Sequence, residues 1–68
     1  MRLTVVLIPA LEGGYVATNP ETGTTSQGET VQEAIQNLQE ATELYLEEFP
    51  MEATGAPIIT TMDVMLNA

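Results

Sequence analysis

Nucleophilic and acid–base catalysis draw mainly on His, Cys, Lys or an activated Ser, and this chain has no His and no Cys, a single base, Arg2, and a single serine, Ser26. Ser26 stands in a polar stretch with no base near it in sequence, so a structural role outweighs a nucleophilic one. Carboxylates are the remaining candidates. Glu40 with Glu43 and Glu43 with Glu47 are spaced as neighbours on one helix face. A convex solvated face offers neither the desolvation nor the cleft that would push two carboxyl pKa values apart into an acid and a base. Glu29/Glu33 and Glu40/Glu43/Glu47 could hold a hard cation weakly, but the chain lacks a D-x-D-x-D-G loop and a His ligand. No metal or cofactor is expected. Gly13-Gly14 lacks the G-x-G-x-x-G pattern of a phosphate cradle and reads as a hairpin turn. The residues predict a protein that is not an enzyme.

Charge narrows the partners. Ten acidic residues stand against one base, for a net charge of -9. Affinity for a phosphate backbone comes largely from Lys and Arg, so direct nucleic-acid binding by this chain is disfavoured and a basic protein is the partner its field attracts. Glu40, Glu43, Leu44, Glu47 and Glu48 are the candidate partner-binding residues. Leu44 falls away from the apolar helix stripe described below, where a partner would have reason to cover it. The simpler reading, that excess negative charge only keeps a small protein soluble, stands beside this one.

These residues must be positioned by few elements. Sixty-eight residues allow one domain with a thin core, and the absence of cysteine removes disulfide and thiolate staples. Oligomerisation is the remaining aid, and a homodimer is expected. Arg2 to Ile8 reads as a strand with apolar residues on both faces, which predicts a central position, ended by Pro9. Glu12-Gly13-Gly14 turns the chain into a second strand, Tyr15 to Thr18, and Asn19-Pro20-Glu21-Thr22-Gly23 turns it into a short polar edge strand from Thr24 to Gln27. Thr30 and Glu33 form a T-x-x-E capping box at the start of a helix running to about Phe49, where Pro50 stops it. Val31, Ala34, Ile35, Leu38, Thr42, Tyr45 and Phe49 gather into one stripe at ~100° per residue, to pack on the sheet. Glu29, Glu33, Gln36, Glu40, Glu43 and Glu47 face the other way. Ile58 to Val64 alternates as a fourth strand, giving an α+β domain of order β-β-β-α-β with the helix on one face of the sheet. The apolar run Val5 to Ile8 is too short for a signal or a membrane span, so the protein is expected in the cytoplasm and off the membrane.

The run Gly13-Gly14-Tyr15-Val16, Asn19-Pro20, Ser26-Gln27-Gly28-Glu29-Thr30 and Glu33-Ala34, followed by a helix through Glu43-Leu44-Tyr45-Leu46-Glu47, resembles the amino-terminal domain of HicB-type antitoxins. The likeness spans Leu3 to roughly Phe49. It implies a partial RNase H-like β-β-β-α-β fold, usually dimeric, that masks a small basic HicA-type ribonuclease toxin. Glu21-Thr22-Gly23-Thr24-Thr25 departs from that family's frequent D-L-P-G-type loop, and the carboxy-terminal DNA-binding domain common in that family is not seen here. A solitary dimeric HicB-like interaction module with another partner is the alternative.

Overall fold

The computed structural model describes residues 1–52 and 55–67. Three antiparallel strands, β1 (Val6–Pro9), β2 (Tyr15–Thr18) and β3 (Thr25–Gly28), lie in the order β1-β2-β3 and are followed by one helix, α1 (Val31–Glu48). This is the expected α+β class, with the expected order as far as the helix.

Both hairpins rest on residues that tolerate left-handed backbone. Gly13 and Gly14 have φ of 103° and 76° in the first turn, which is closed by the Ala10 N–H donating to the Gly14 carbonyl at 3.0 Å. In the second, Gly23 has φ of 79° and its N–H donates to the Asn19 carbonyl at 2.8 Å. Register then sorts the side chains. Leu7 lies opposite Ala17, Ala17 opposite Ser26, and Tyr15 opposite Gly28. Because strand residues alternate between faces, these residues look toward the helix, while Val6, Ile8, Val16, Thr18, Thr25 and Gln27 share the outer face. Ala17, Ala34 and Leu38 form the buried core, with Leu7 and Tyr15 packed against it. Such a core is thin, as the chain length requires. Gly28 makes it possible at all, since a Cβ there would collide with the helix backbone at Glu33 and Ala34.

The helix begins where the capping box places it. Thr30 is extended, with φ of -123° and ψ of 163°, and its hydroxyl accepts the Glu33 N–H at 3.1 Å. The Glu33 carboxylate reaches back to the N–H of Glu29 at 2.9 Å, one residue before the cap instead of the cap itself. At the other end the Phe49 N–H donates to the Tyr45 carbonyl at 2.8 Å, and Pro50 follows.

Four expectations need correction. The first strand is shorter than Arg2 to Ile8, because the Thr4 backbone is engaged by side chains: its N–H donates to Glu21 and its carbonyl accepts from Asn19. Pro9 ends the ladder as expected, as its last residue, paired with Tyr15. β1 is an edge strand and β2 the central one, so the apolar outer face of β1 reflects something other than a strand on each side. The stripe is only partly covered: Ala34, Leu38 and Thr42 are buried, but Ile35 is 36% and Phe49 61% exposed, because three four-residue strands make a sheet too small to cover all of it. Finally, the fourth strand is not formed. Residues 57–67 carry no secondary structure and every one of them is exposed. A strand exists only through its ladder, and in a single copy this segment meets no edge.

Candidate functional site

All five residues singled out from the sequence, Glu40, Glu43, Leu44, Glu47 and Glu48, lie in the unbroken helix α1, and all are exposed. Spacings of three and four bring them onto one side. Leu44 is the centre of the group: Glu40 lies one turn before it, and Glu47 and Glu48 one turn after. It is 65% exposed, a branched apolar side chain ringed by carboxylates. The last turn has no basic residue, so Glu47 and Glu48 stand unrelieved at the negative end of the helix dipole. Glu43 repels Glu40 and Glu47 at helical neighbour distance. Its oxygen accepts from Gln39 Nε2 at 3.4 Å. A face of this kind gains by receiving a cationic surface, which relieves both the mutual repulsion and the dipole.

Beside that face runs an apolar cleft of about 400 Å³ between the amino-terminal segment and the helix, with Leu3, Val5, Ile35, Leu38 and Leu46 among its walls and Glu43 at its polar side. Glu43 therefore belongs to both features. The wall formed by residues 1–5 is fixed by a polar knot built on the second turn, Asn19 to Gly23. Asn19 is 2% exposed; its Nδ2 donates to the Thr4 carbonyl at 2.8 Å and to Glu21 Oε1 at 2.6 Å, while its Oδ1 accepts the Thr22 N–H at 2.9 Å. Glu21 in turn accepts from the Thr4 N–H and hydroxyl, each at 3.0 Å. Burial alone would raise the Glu21 carboxyl, but the hydrogen bonds from Thr4, its own backbone and Asn19 outweigh it, so the group is held below the ordinary carboxylate range. The signal for this knot was present in the N-P-E-T-G turn, since Asn at a turn commonly bonds backbone two or three residues on. Its long reach to Thr4 had none.

Ser26 lies in β3 opposite Ala17, in the layer between sheet and helix. Among the described residues, no three carboxylates come together to hold a metal ion. No helix is long and apolar enough to cross a membrane. What the surface offers is charge and apolar area, the materials of a protein contact.

No protein-family model matches the chain. It is similar to the UPF0150 protein ssr1765 of Synechocystis sp., with 49% identity over 55 residues that cover 79% of this chain and 70% of that protein. The chain belongs to the UPF0150 family.

Proposed function

We propose that this UPF0150 protein is an antitoxin-like masking protein: it binds a small basic HicA-type ribonuclease toxin and covers the surface the toxin would use for RNA, without catalysis of its own, in the cytoplasm. The observation that carries the reading is the exposed Leu44 set among Glu40, Glu43, Glu47 and Glu48 on a helix with no base in its last turn. A protein that grips phosphates must expose Lys and Arg, and this face is their electrostatic complement. The resemblance of Gly13-Gly14-Tyr15-Val16 and Ser26-Gln27-Gly28-Glu29-Thr30 to HicB-type antitoxins supports the same reading. The motif residues do structural work: the glycines turn the first hairpin, Gly28 admits the helix and Thr30 caps it.

The division of labour follows from ordinary interface physics. Rim carboxylates steer a basic partner and raise its association rate, while affinity comes from a desolvated apolar centre. Leu44 supplies that centre; the cleft walls Ile35 and Leu46 lie on the opposite side of the helix and are no part of it. Co-expression with a small basic HicA-type toxin tests the reading. Rescue of growth, with the two proteins purifying together at low salt, is the expected result. A toxin of that class that this chain neither neutralises nor retains would leave the alternative, an interaction module with a different partner.

A further inference from the structure

The masking reading uses one side of α1, and the other side borders the apolar cleft. The helix lies over β3 and β2, which leaves the helix-side face of the chain ahead of β1 only partly covered. The cleft of about 400 Å³ runs there as a groove, with Leu3 and Val5 on one wall and Ile35, Leu38 and Leu46 on the other. From Ile35 to Leu46 the helical wall is about 16 Å long, or about three turns, at 1.5 Å per residue. Its buried polar lining is already bonded within the chain. Asn19 donates to the Thr4 carbonyl and accepts from the Thr22 N–H, and the Thr42 hydroxyl meets that of Thr24 at 2.8 Å. The polar side chains that remain, Gln39 and Glu43, are exposed and share one rim. Glu40 and Glu47 flank Glu43 at helical neighbour positions, so that rim is a row of carboxylates. The chain's single base, Arg2, is not among the groove's walls.

We infer that this groove is a docking site for an amphipathic helix of a partner protein, with an apolar stripe toward the groove and lysines or arginines along the edge that meets Glu43. The walls offer an incoming extended chain little to pair with. α1 closes its main-chain hydrogen bonds within itself, and the N–H and carbonyl of Thr4 are taken by Glu21 and Asn19. An occupant therefore has to bring its own main-chain bonds already closed, as a helix does. A stripe recurring at three and four residues suits a wall of this length. It would cover what the small sheet leaves bare, since Val5 is 37% and Ile35 36% exposed. Charge decides the other edge of the helix. An acidic edge would be repelled by Glu40, Glu43 and Glu47, whereas a basic one relieves their mutual repulsion. The groove is separate from the Leu44 face, because at ~100° per residue Ile35 and Leu46 project about 180° and 160° away from Leu44. The inference thus goes beyond the masking reading and does not depend on it; Glu43 is the residue the two sites share. The Asn19 knot acquires a purpose here, since by holding residues 1–5 it sets the wall opposite the helix.

The test uses the whole chain and a synthetic probe, so its failure is distinct from a failure of the masking reading, which is tested with a toxin. The probe is a peptide of leucine, lysine and alanine, about fifteen residues long so that it can hold a helix, with its leucines recurring at three and four. In methyl-labelled protein, contacts from the bound peptide should reach Leu3, Val5, Ile35 and Leu46 and not Leu44. Leu46→Gln should weaken binding roughly tenfold or more, the scale of one buried apolar side chain. Glu43→Gln should weaken it and flatten its salt dependence. Ile8→Gln, on the outer face of the sheet, should leave it unchanged. A peptide of the same composition with its leucines scattered off the stripe, and one with glutamate in place of lysine, should each bind roughly tenfold more weakly or worse. Contacts at Leu44 instead of the groove would overturn the inference. So would a scattered peptide that binds as tightly as the striped one, unchanged affinity in Leu46→Gln or Glu43→Gln, or no binding of the striped peptide at low salt. Should Leu46→Gln unfold, the methyl contacts of the wild-type protein decide the matter alone.

Discussion

Replacing Gly28 with Ala isolates the contact that lets this sheet accept its helix. Gly28 is not among the glycines with positive φ, so its backbone suits alanine, and in open space the change would stabilise by ~0.4–1 kcal/mol by restricting the unfolded chain. The space is not open. The new methyl would stand 2.8 Å from the Glu33 carbonyl carbon and 2.9 Å from Ala34 Cα, both main-chain atoms that cannot swing aside. Comfortable carbon contacts lie at about 3.5–4.0 Å, so the helix must retreat by about 1 Å. Retreat loosens the packing of Ala34 and Leu38 on Ala17, and it strains the 2.8 Å bonds from Asn37 Nδ2 to the Gln27 carbonyl and between the hydroxyls of Thr24 and Thr42. Overpacking of this kind costs ~1–3 kcal/mol, whereas native stability at ~0.05–0.15 kcal/mol per residue comes to only ~3–10 kcal/mol for a chain this short. Crowding should therefore reverse the sign. Urea denaturation followed by helix circular dichroism, at fixed protein concentration, should show the midpoint falling by roughly 1–3 M for a slope near 1 kcal/mol/M. A midpoint equal to or above that of the wild type would refute the claim that β3 and α1 meet backbone to backbone at Gly28.

Three further outcomes are expected. Thr30→Ala should lower stability by ~0.5–2 kcal/mol in the same assay, because the Glu33 N–H loses its acceptor. Leu38→Ala should cost more, ~2–5 kcal/mol, since Leu38 is the largest apolar side chain in the buried core; a loss no larger than that of Thr30→Ala would place Leu38 outside it. Glu21 has its folded pKa below the ordinary value of 4.5, so its contribution is complete above the unfolded pKa and is lost as pH falls through the lower folded value. Acid titration of the wild type should release residues 1–5 in that window, read from the Thr4 amide resonance, and Glu21→Gln should abolish the pH dependence of that signal.

The helix was legible because its signals are local: a capping box at Thr30 and Glu33, a stripe of fixed period, and Pro50 to end it. Both turns were legible through Gly13-Gly14 and Asn19-Pro20, whose backbone preferences act over a few residues. What sequence did not disclose depends on partners distant along the chain. Asn19 reads as a turn former, and nothing nearby indicates that it binds the Thr4 carbonyl fifteen residues away. Gly28 carried a faint signal, since glycine at a strand end often marks close backbone approach, but the approaching helix is known only from the fold. Val6 and Ile8 on one face against Leu7 on the other predict a central β1, and the alternation of Ile58 to Val64 predicts a further strand. Pattern reports that a face or an edge is to be covered; it does not report by which chain. Of the candidate site, the grouping of Glu40, Glu43, Leu44, Glu47 and Glu48 followed from helical spacing, whereas the adjoining cleft depends on where the Asn19 knot holds residues 1–5.

The masking proposal is tested most directly by the association rate with a small basic HicA-type toxin, measured by stopped flow at low and high salt for the wild type and for the combined variant Glu40→Gln/Glu43→Gln/Glu47→Gln/Glu48→Gln. Steered association can exceed the ~10⁵–10⁶ M⁻¹s⁻¹ of uncharged pairs by several orders of magnitude and falls steeply with ionic strength. The wild type should associate fast and with strong salt sensitivity and the variant more slowly at low salt and nearly indifferent to added salt, with Leu44→Ala instead shortening the lifetime of the complex. Equal rates and equal salt dependence in wild type and variant would contradict the proposal, because the acidic face of α1 would then have no part in the encounter.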